Sequence, residues 1–193
     1  MQHRMIASME KSGQRMAQLV EDLLDLALTR FGSSIPLRRT SVDLNTLLRE
    51  VIAEVGASSP DAQIEFATEG TLIGEWDRTR LAQAFANLLS NAIQHGGAGM
   101  PIKVTATPAG ENSVEVAFRN EGPAIPGDQV KGLFSPMKSS PGKRDRRHLG
   151  LGLYIVDKIV EAHGGKVGVE SSDGAGTTFH VTLPQRGGQD AKT

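Results

Sequence analysis

Leu81-Ala82-Gln83-Ala84-Phe85-Ala86-Asn87-Leu88-Leu89-Ser90-Asn91-Ala92-Ile93-Gln94-His95 decides how the chain is read. Gln83, Asn87, Asn91 and His95 recur every four residues, so on a helix they share one face. Leu81, Phe85, Leu88 and Ala92 form the apolar face, and no Lys, Arg, Asp or Glu occurs between Arg80 and Lys103. A helix whose polar side meets water ordinarily carries charge there, so this face is expected to be enclosed. Carboxamide oxygens are hard, neutral ligands that complete the coordination of a Mg²⁺ whose charge phosphates already balance. Enclosed amides serve internal hydrogen bonding equally well, and the helix alone leaves both readings open.

The 193 residues are 38% hydrophobic, enough for one good core and a small appendage. A formal net charge of −1 supplies neither a basic field for nucleic acid nor an acidic excess that favours disorder. With no cysteine there is no disulfide framework and no thiolate metal site, which fits a reducing compartment. No apolar run reaches membrane-spanning length and no signal-peptide pattern opens the chain, so a soluble product is expected.

Upstream, Met5, Met9, Ser12, Met16, Leu19, Leu23 and Leu26 alternate steps of four and three, the seam of a bundle or coiled coil. Ile6, Val20 and Ala27 widen it, and so broad a stripe requires a partner helix. Phe31-Gly32-Ser33-Ser34 breaks the pattern. Pro36–Val42 reads as a short strand, and Asp43 as the N-cap of a helix through Val55 with Leu44, Leu47, Leu48, Val51 and Ile52 inward. Ile64–Thr68 and Thr71–Trp76 read as strands joined at Glu69-Gly70, and Asp77 caps the central helix. Ile102–Thr107 and Ser113–Arg119 alternate apolar and polar residues, as in a hairpin with one face buried. A helix over Leu153–Ala162 and strands at Lys166–Glu170 and Thr177–Leu183 complete the domain, and the tail after Pro184 is expected to be disordered.

Three further segments invite a ligand. Gly150 and Gly152 precede a helix, where bare backbone and the positive helix end favour anions, although a tight loop-to-helix turn has the same spelling. Asn120, at a strand end before Gly122, can present a carboxamide to a flat ring, or make an ordinary Asx turn. Ser135–His148 sets Lys138, Lys143, Arg144, Arg146 and Arg147 against Asp145 alone, the composition of a mobile loop that attracts phosphate or simply stays solvated. Gly174 and Gly176 lie between two strands, where a hairpin turn accounts for them.

Taken in order, these segments resemble the ATP-binding domain of sensor histidine kinases, in the superfamily that also holds gyrase B, MutL and heat-shock chaperone ATPases. Asn87-Leu88-Leu89-Ser90-Asn91-Ala92 resembles its N box, Asn120–Pro126 its first glycine box, and Leu133-Phe134-Ser135-Pro136-Met137 its F box. Gly150-Leu151-Gly152-Leu153 resembles the second glycine box and Gly174-Ala175-Gly176-Thr177 the third. The resemblance implies an α+β fold of Bergerat type, a two-layer sandwich of a mixed sheet with helices on one face, preceded by one long bundle-type helix. Residues 1–31 would be the second helix of a dimerisation hairpin, 32–184 the ATP-binding domain, and 185–193 the tail.

The cofactors implied are ATP and Mg²⁺. Asn91 would ligate Mg²⁺, Asn87 and His95 would contact phosphate, and Asn120 would meet the adenine. Gly122, Gly150 and Gly152 would permit close backbone approach, Lys138 would touch phosphate, and Ile125, Leu151, Leu153 and Thr177 would line the nucleotide. The implied partners are a first hairpin helix, a second copy of the chain in a homodimer and a response regulator receiver domain, with the whole on the cytosolic side of a sensor.

Three departures stand out. Asn120 replaces the usual Asp and accepts without a charge. Ala124 and Met137 replace a common Gly and Phe. The acceptor motif, His followed by acidic, apolar and basic residues and then Pro, is absent, and His3 in Gln2-His3-Arg4-Met5 does not supply it. A hydrolase or clamp of the gyrase or chaperone kind is the competing reading, with a regulatory nucleotide-binding module as a third. The hydrolase branches resemble one another in placing Glu where this chain has Asn87, and an amide cannot act as general base.

Overall fold

The computed structural model describes residues 13, 20, 23–30, 34–97, 99–136 and 150–186. The chain divides into two compact units, Met1–Ile35 and Pro36–Thr193. In the first, residues 23–30 are helical (α1), and the Thr29 hydroxyl donates to the Asp25 carbonyl at 2.8 Å. Val20 and Leu23, on the stripe read from the sequence, are exposed, as are Leu24 and Leu28 beside it. The seam positions from Met5 to Leu19 lie outside the described residues.

The second unit follows the order β1 (Thr40–Asp43), α2 (Leu44–Ser58), β2 (Ile64–Thr68), β3 (Ile73–Trp76), α3 (Arg78–His95), β4 (Ile102–Pro108), β5 (Ser113–Asn120), α4 (Gly127–Val130), α5 (Gly152–Ala162), β6 (Lys166–Ser172) and β7 (Gly176–Pro184). Five strands form one sheet in the order β2-β4-β5-β7-β6, and β1 pairs with β3 in a second, two-stranded sheet. Only the β2–β4 pair of the larger sheet is parallel, so that sheet is mixed. The architecture is the α+β sandwich anticipated above.

Alternation along the strands sets the layers. Val104, Ala106, Val116, Phe118, Phe179, Val181 and Leu183 are fully buried, while the intervening Lys103, Thr105 and Arg119 are exposed. Leu81, Phe85, Leu88, Ile155, Val156 and Ile159 supply the helical half of the core. Phe85 and Phe118 join the two layers with ring centroids 5.8 Å apart.

Both carboxylate caps form. Asp43 accepts from Asn45 N–H at 3.0 Å and starts α2, which buries Leu44, Leu47, Leu48 and Val51 but leaves Ile52 half-buried. Asp77 starts α3 by accepting from Arg80 N–H at 3.0 Å. Its second oxygen accepts from Arg38 N–H at 2.7 Å, so the strand expected from Pro36 begins only at Thr40. At the far end of α5, buried His163 accepts from Asp77 N–H through Nε2 at 3.0 Å and donates from Nδ1 to the Ile159 carbonyl at 2.7 Å. Burial holds this imidazole below the usual histidine pKa of 6.5, against an opposing pull from the Ile159 carbonyl.

Three local expectations change. The strands on either side of Glu69-Gly70 do not pair: β2 lies parallel to β4, and β3 pairs with β1. Short α4 falls in a stretch for which no element had been read. Gln185 is not part of a free tail, because its N–H donates to the Asn112 carbonyl at 2.8 Å and its carbonyl accepts from Glu75 N–H at 2.9 Å. Beside it, the buried indole of Trp76 donates to the Pro184 carbonyl at 2.7 Å, tying the small sheet to the end of β7.

Candidate functional site

Helix α3 is the spine of the site. Of its amide row, Gln83, Asn87 and Asn91 are half-buried and His95 is exposed, so the face is enclosed at one end and open at the other. Gln83 accepts from Arg80 through Oε1 at 3.0 Å, which brings a guanidinium to the enclosed end. Asn87 differs: its Nδ2 is buried and has no hydrogen-bond partner among the described residues. A buried, unpaired amide donor costs free energy, and such a group is a place to look for a missing acceptor.

Gly152, the first residue of α5, stands directly against that amide. A Cβ at Gly152 would lie 3.6 Å from the Asn87 carboxamide carbon. Gly150 adopts a φ of 69°, open to glycine at little cost, and turns the chain into the helix. Leu151, the residue before α5, makes no side-chain cap, so the helix starts without an acceptor from its own N-cap residue. Leu151 is buried beneath this turn and Leu153 half-buried beside it.

The other end of α3 meets the end of β5. A Cβ at Gly122 would overlap the His95 carbonyl oxygen, and the Gly97 N–H donates to the Glu121 carbonyl, so the two chain segments touch backbone to backbone. Asn120, only 2% exposed, is thereby held next to the C-terminal end of the amide row. It pairs in register with Thr177 on β7, which pairs in turn with Ser171 on β6. These three polar residues close the sheet end where Phe118, Phe179 and Val169 form the next row inward. Ser171 and Thr177 hydroxyl oxygens are 2.7 Å apart, and the Ile125 N–H donates to Ser171 Oγ at 2.9 Å. The sequence reading included Ile125 and Thr177 but not Ser171; its only signal was register, two residues before the β6–β7 turn.

The structure thus gathers Asn87, Asn91, His95, Asn120, Gly122, Ile125, Gly150, Leu151, Gly152, Leu153 and Thr177 around one helix and one sheet end. Lys138, Met137 and the basic segment around them lie outside the described residues. Asn87 and Asn91, being amides, can hold and orient a ligand but cannot take up a proton. The described residues include no His, Cys, Asp and Glu cluster able to hold a metal. A divalent cation here would rest on amide oxygen and on oxygens of its own ligand, which is how Mg²⁺ is commonly held with phosphates. An open cleft of about 310 Å³ lies elsewhere, lined by Asp157, Lys158, Glu161, Gly165, Lys166 and Val167. There Lys158 pairs with Glu161 and Asp157.

Comparison with known proteins identifies the family and the fold. Residues 76–187 match the family described as histidine kinase-, DNA gyrase B-, and HSP90-like ATPase. The chain is 35% identical over 185 residues to the sensor histidine kinase ZraS of Escherichia coli K12, covering 94% of this chain and 38% of ZraS. It therefore spans well under half the length of that relative. Among solved structures it resembles full-length ShkA in complex with AMPPNP, with a TM-score of 0.75, 28% identity, and coverage of 93% of this chain and 38% of that one. It also resembles the histidine kinase ThkA in complex with the response regulator protein TrrA, with a TM-score of 0.68, 29% identity, and coverage of 90% and 49%.

Proposed function

Because the chain belongs to the histidine kinase-, DNA gyrase B- and HSP90-like ATPase family, we propose that its second unit binds ATP with Mg²⁺ and presents the γ-phosphate to a histidine on another helix. The observation that carries this reading is the buried Nδ2 of Asn87, without a hydrogen-bond partner among the described residues, against the glycine start of α5. A phosphate oxygen placed there would satisfy the amide donor and meet free helical N–H groups together. Asn91, one turn further along α3, offers its Oδ1 to Mg²⁺, and His95 reaches phosphate from the open end. Asn120 accepts from the adenine amino group, Gly122, Gly150 and Gly152 let the nucleotide approach bare backbone, and Ile125, Leu151, Leu153 and Thr177 line it. Lys138 adds a cation for phosphate. The bound Mg²⁺ supplies charge neutralisation on the phosphates; the protein supplies position.

Within the family, Asn87 favours transfer to a protein histidine over hydrolysis. An amide holds phosphate but cannot take a proton from water. The same reading makes residues 1–31 the second helix of a dimerisation hairpin and 32–184 the ATP-binding domain. It assigns as partners a first hairpin helix, a second copy of the chain and a response regulator receiver domain, the last supported by the likeness to ThkA in complex with the response regulator protein TrrA. The chain lacks the acceptor motif, so alone it binds ATP without labelling itself. Supplied with a first hairpin helix that carries the motif, separately or by fusion, it is expected to transfer label from γ-labelled ATP in acid-labile, base-stable form. Label on the chain alone would contradict the assignment, and His3→Ala would then test His3 as its acceptor.

A further inference from the structure

We propose that Ser171 is a positioning residue that sets the direction of the Thr177 hydroxyl and, through it, the preference for adenine over guanine. The inference rests on the nucleotide reading above and concerns which base that site selects. Three observations carry it. Asn120, Thr177 and Ser171 stand side by side across β5, β7 and β6, at the sheet end that the nucleotide reading assigns to the base. Ser171 Oγ accepts from the Ile125 N–H at 2.9 Å and lies 2.7 Å from Thr177 Oγ1. Thr177 is 4% exposed, so its hydroxyl has few acceptors to choose from.

A hydroxyl has one hydrogen and two lone pairs. Ser171 spends one lone pair on the Ile125 N–H, and accepting that bond polarises its own O–H into the stronger donor. It therefore donates to Thr177 Oγ1, and the Thr177 hydrogen is the one left to point into the site. Asn120 Oδ1 as acceptor and Thr177 O–H as donor then match the amino group and adjacent ring nitrogen of adenine. Guanine presents a carbonyl and a ring N–H at the same edge, the reverse pattern. A carboxylate in place of Asn120 would reject guanine by itself, since it can only accept. Asn120 can turn its amide to offer Nδ2 instead, so with Asn the discrimination passes to the hydroxyl that cannot turn. A buried donor facing a donor loses its bond outright, which is where selectivity between such isosteres arises.

The test is titration of the full chain with ATP and with GTP, each with Mg²⁺, for the wild type, Ser171→Ala and Ser171→Thr, alongside melting curves. The wild type is expected to prefer ATP by about tenfold or more, the worth of one well-buried hydrogen bond. Ser171→Ala is expected to bring that ratio near unity, and Ser171→Thr, which keeps the oxygen, to restore it. Should Ser171→Ala fail to fold, Thr177→Val is read in the same way and is expected to lose the preference too. Equal wild-type affinity for the two nucleotides, or a Ser171→Ala variant that weakens both by the same factor, overturns the inference while leaving ATP binding intact. Wild-type chain that binds neither nucleotide overturns the nucleotide reading itself.

Discussion

Gly152 and Asn87 meet across two helices, with the position of a Gly152 Cβ 3.6 Å from the carboxamide carbon and the Asn87 Nδ2 buried without a partner among the described residues. An unpaired buried donor costs roughly 1–3 kcal/mol, which an apolar group of similar shape avoids. Asn87→Leu is therefore expected to leave the melting temperature unchanged or raise it, while weakening ATP binding about tenfold or more. A variant that lost stability and kept its affinity would show the amide to be structural.

Gly122 is pressed against the His95 carbonyl with no room for a methyl group. Gly122→Ala is expected to cost about 1–3 kcal/mol of stability, because relief requires moving backbone rather than a flexible side chain. The shift would also displace Asn120, so nucleotide affinity is expected to fall along with the unfolding free energy.

Asn120→Asp is expected to tighten ATP binding by about three- to tenfold, since a charged acceptor strengthens a hydrogen bond. Calorimetry at fixed salt measures it. Equal or weaker binding by the Asp variant would count against an adenine contact at this position.

His163 gives stability a pH dependence of known sign. Its pKa is lowered in the fold, chiefly by burial, so between that value and 6.5 the unfolded chain holds more protons than the folded one. Stability is thus complete above about pH 6.5 and declines as pH falls toward the lowered pKa. His163→Gln is expected to flatten denaturation midpoints measured from pH 8 to 5 in that window, and to lower them at neutral pH by releasing the Asp77 N–H.

What the sequence made legible was mostly local. Asp43 and Asp77 cap the helices they precede because capping involves neighbours only, and the β4–β5 hairpin follows from alternation across a short turn. The row of Gln83, Asn87, Asn91 and His95 needed only helical period. What was not legible depends on distant partners. Ile64–Thr68 pairs with Ile102–Pro108, not with the strand that follows it, and nothing in its own residues names that partner. Gln185 looks like tail until Trp76 and Glu75 are placed beside it. Ser171 is one of two adjacent serines at a strand end, and only register against Thr177 and the approach of Ile125 single it out.

Asn91 carries the central claim, because a neutral amide oxygen as the only protein ligand proposed for Mg²⁺ makes the cation depend on the nucleotide and the nucleotide depend on the cation. The most direct measurement is calorimetric titration of the chain with a non-hydrolysable ATP analogue, in Mg²⁺ and in EDTA, for the wild type and Asn91→Ala. The account predicts that Mg²⁺ strengthens wild-type binding by about tenfold or more and that Asn91→Ala, with an unchanged melting curve, loses that gain. Wild-type affinity that is the same in Mg²⁺ and EDTA, or an Asn91→Ala variant that keeps the full Mg²⁺ dependence, would contradict it.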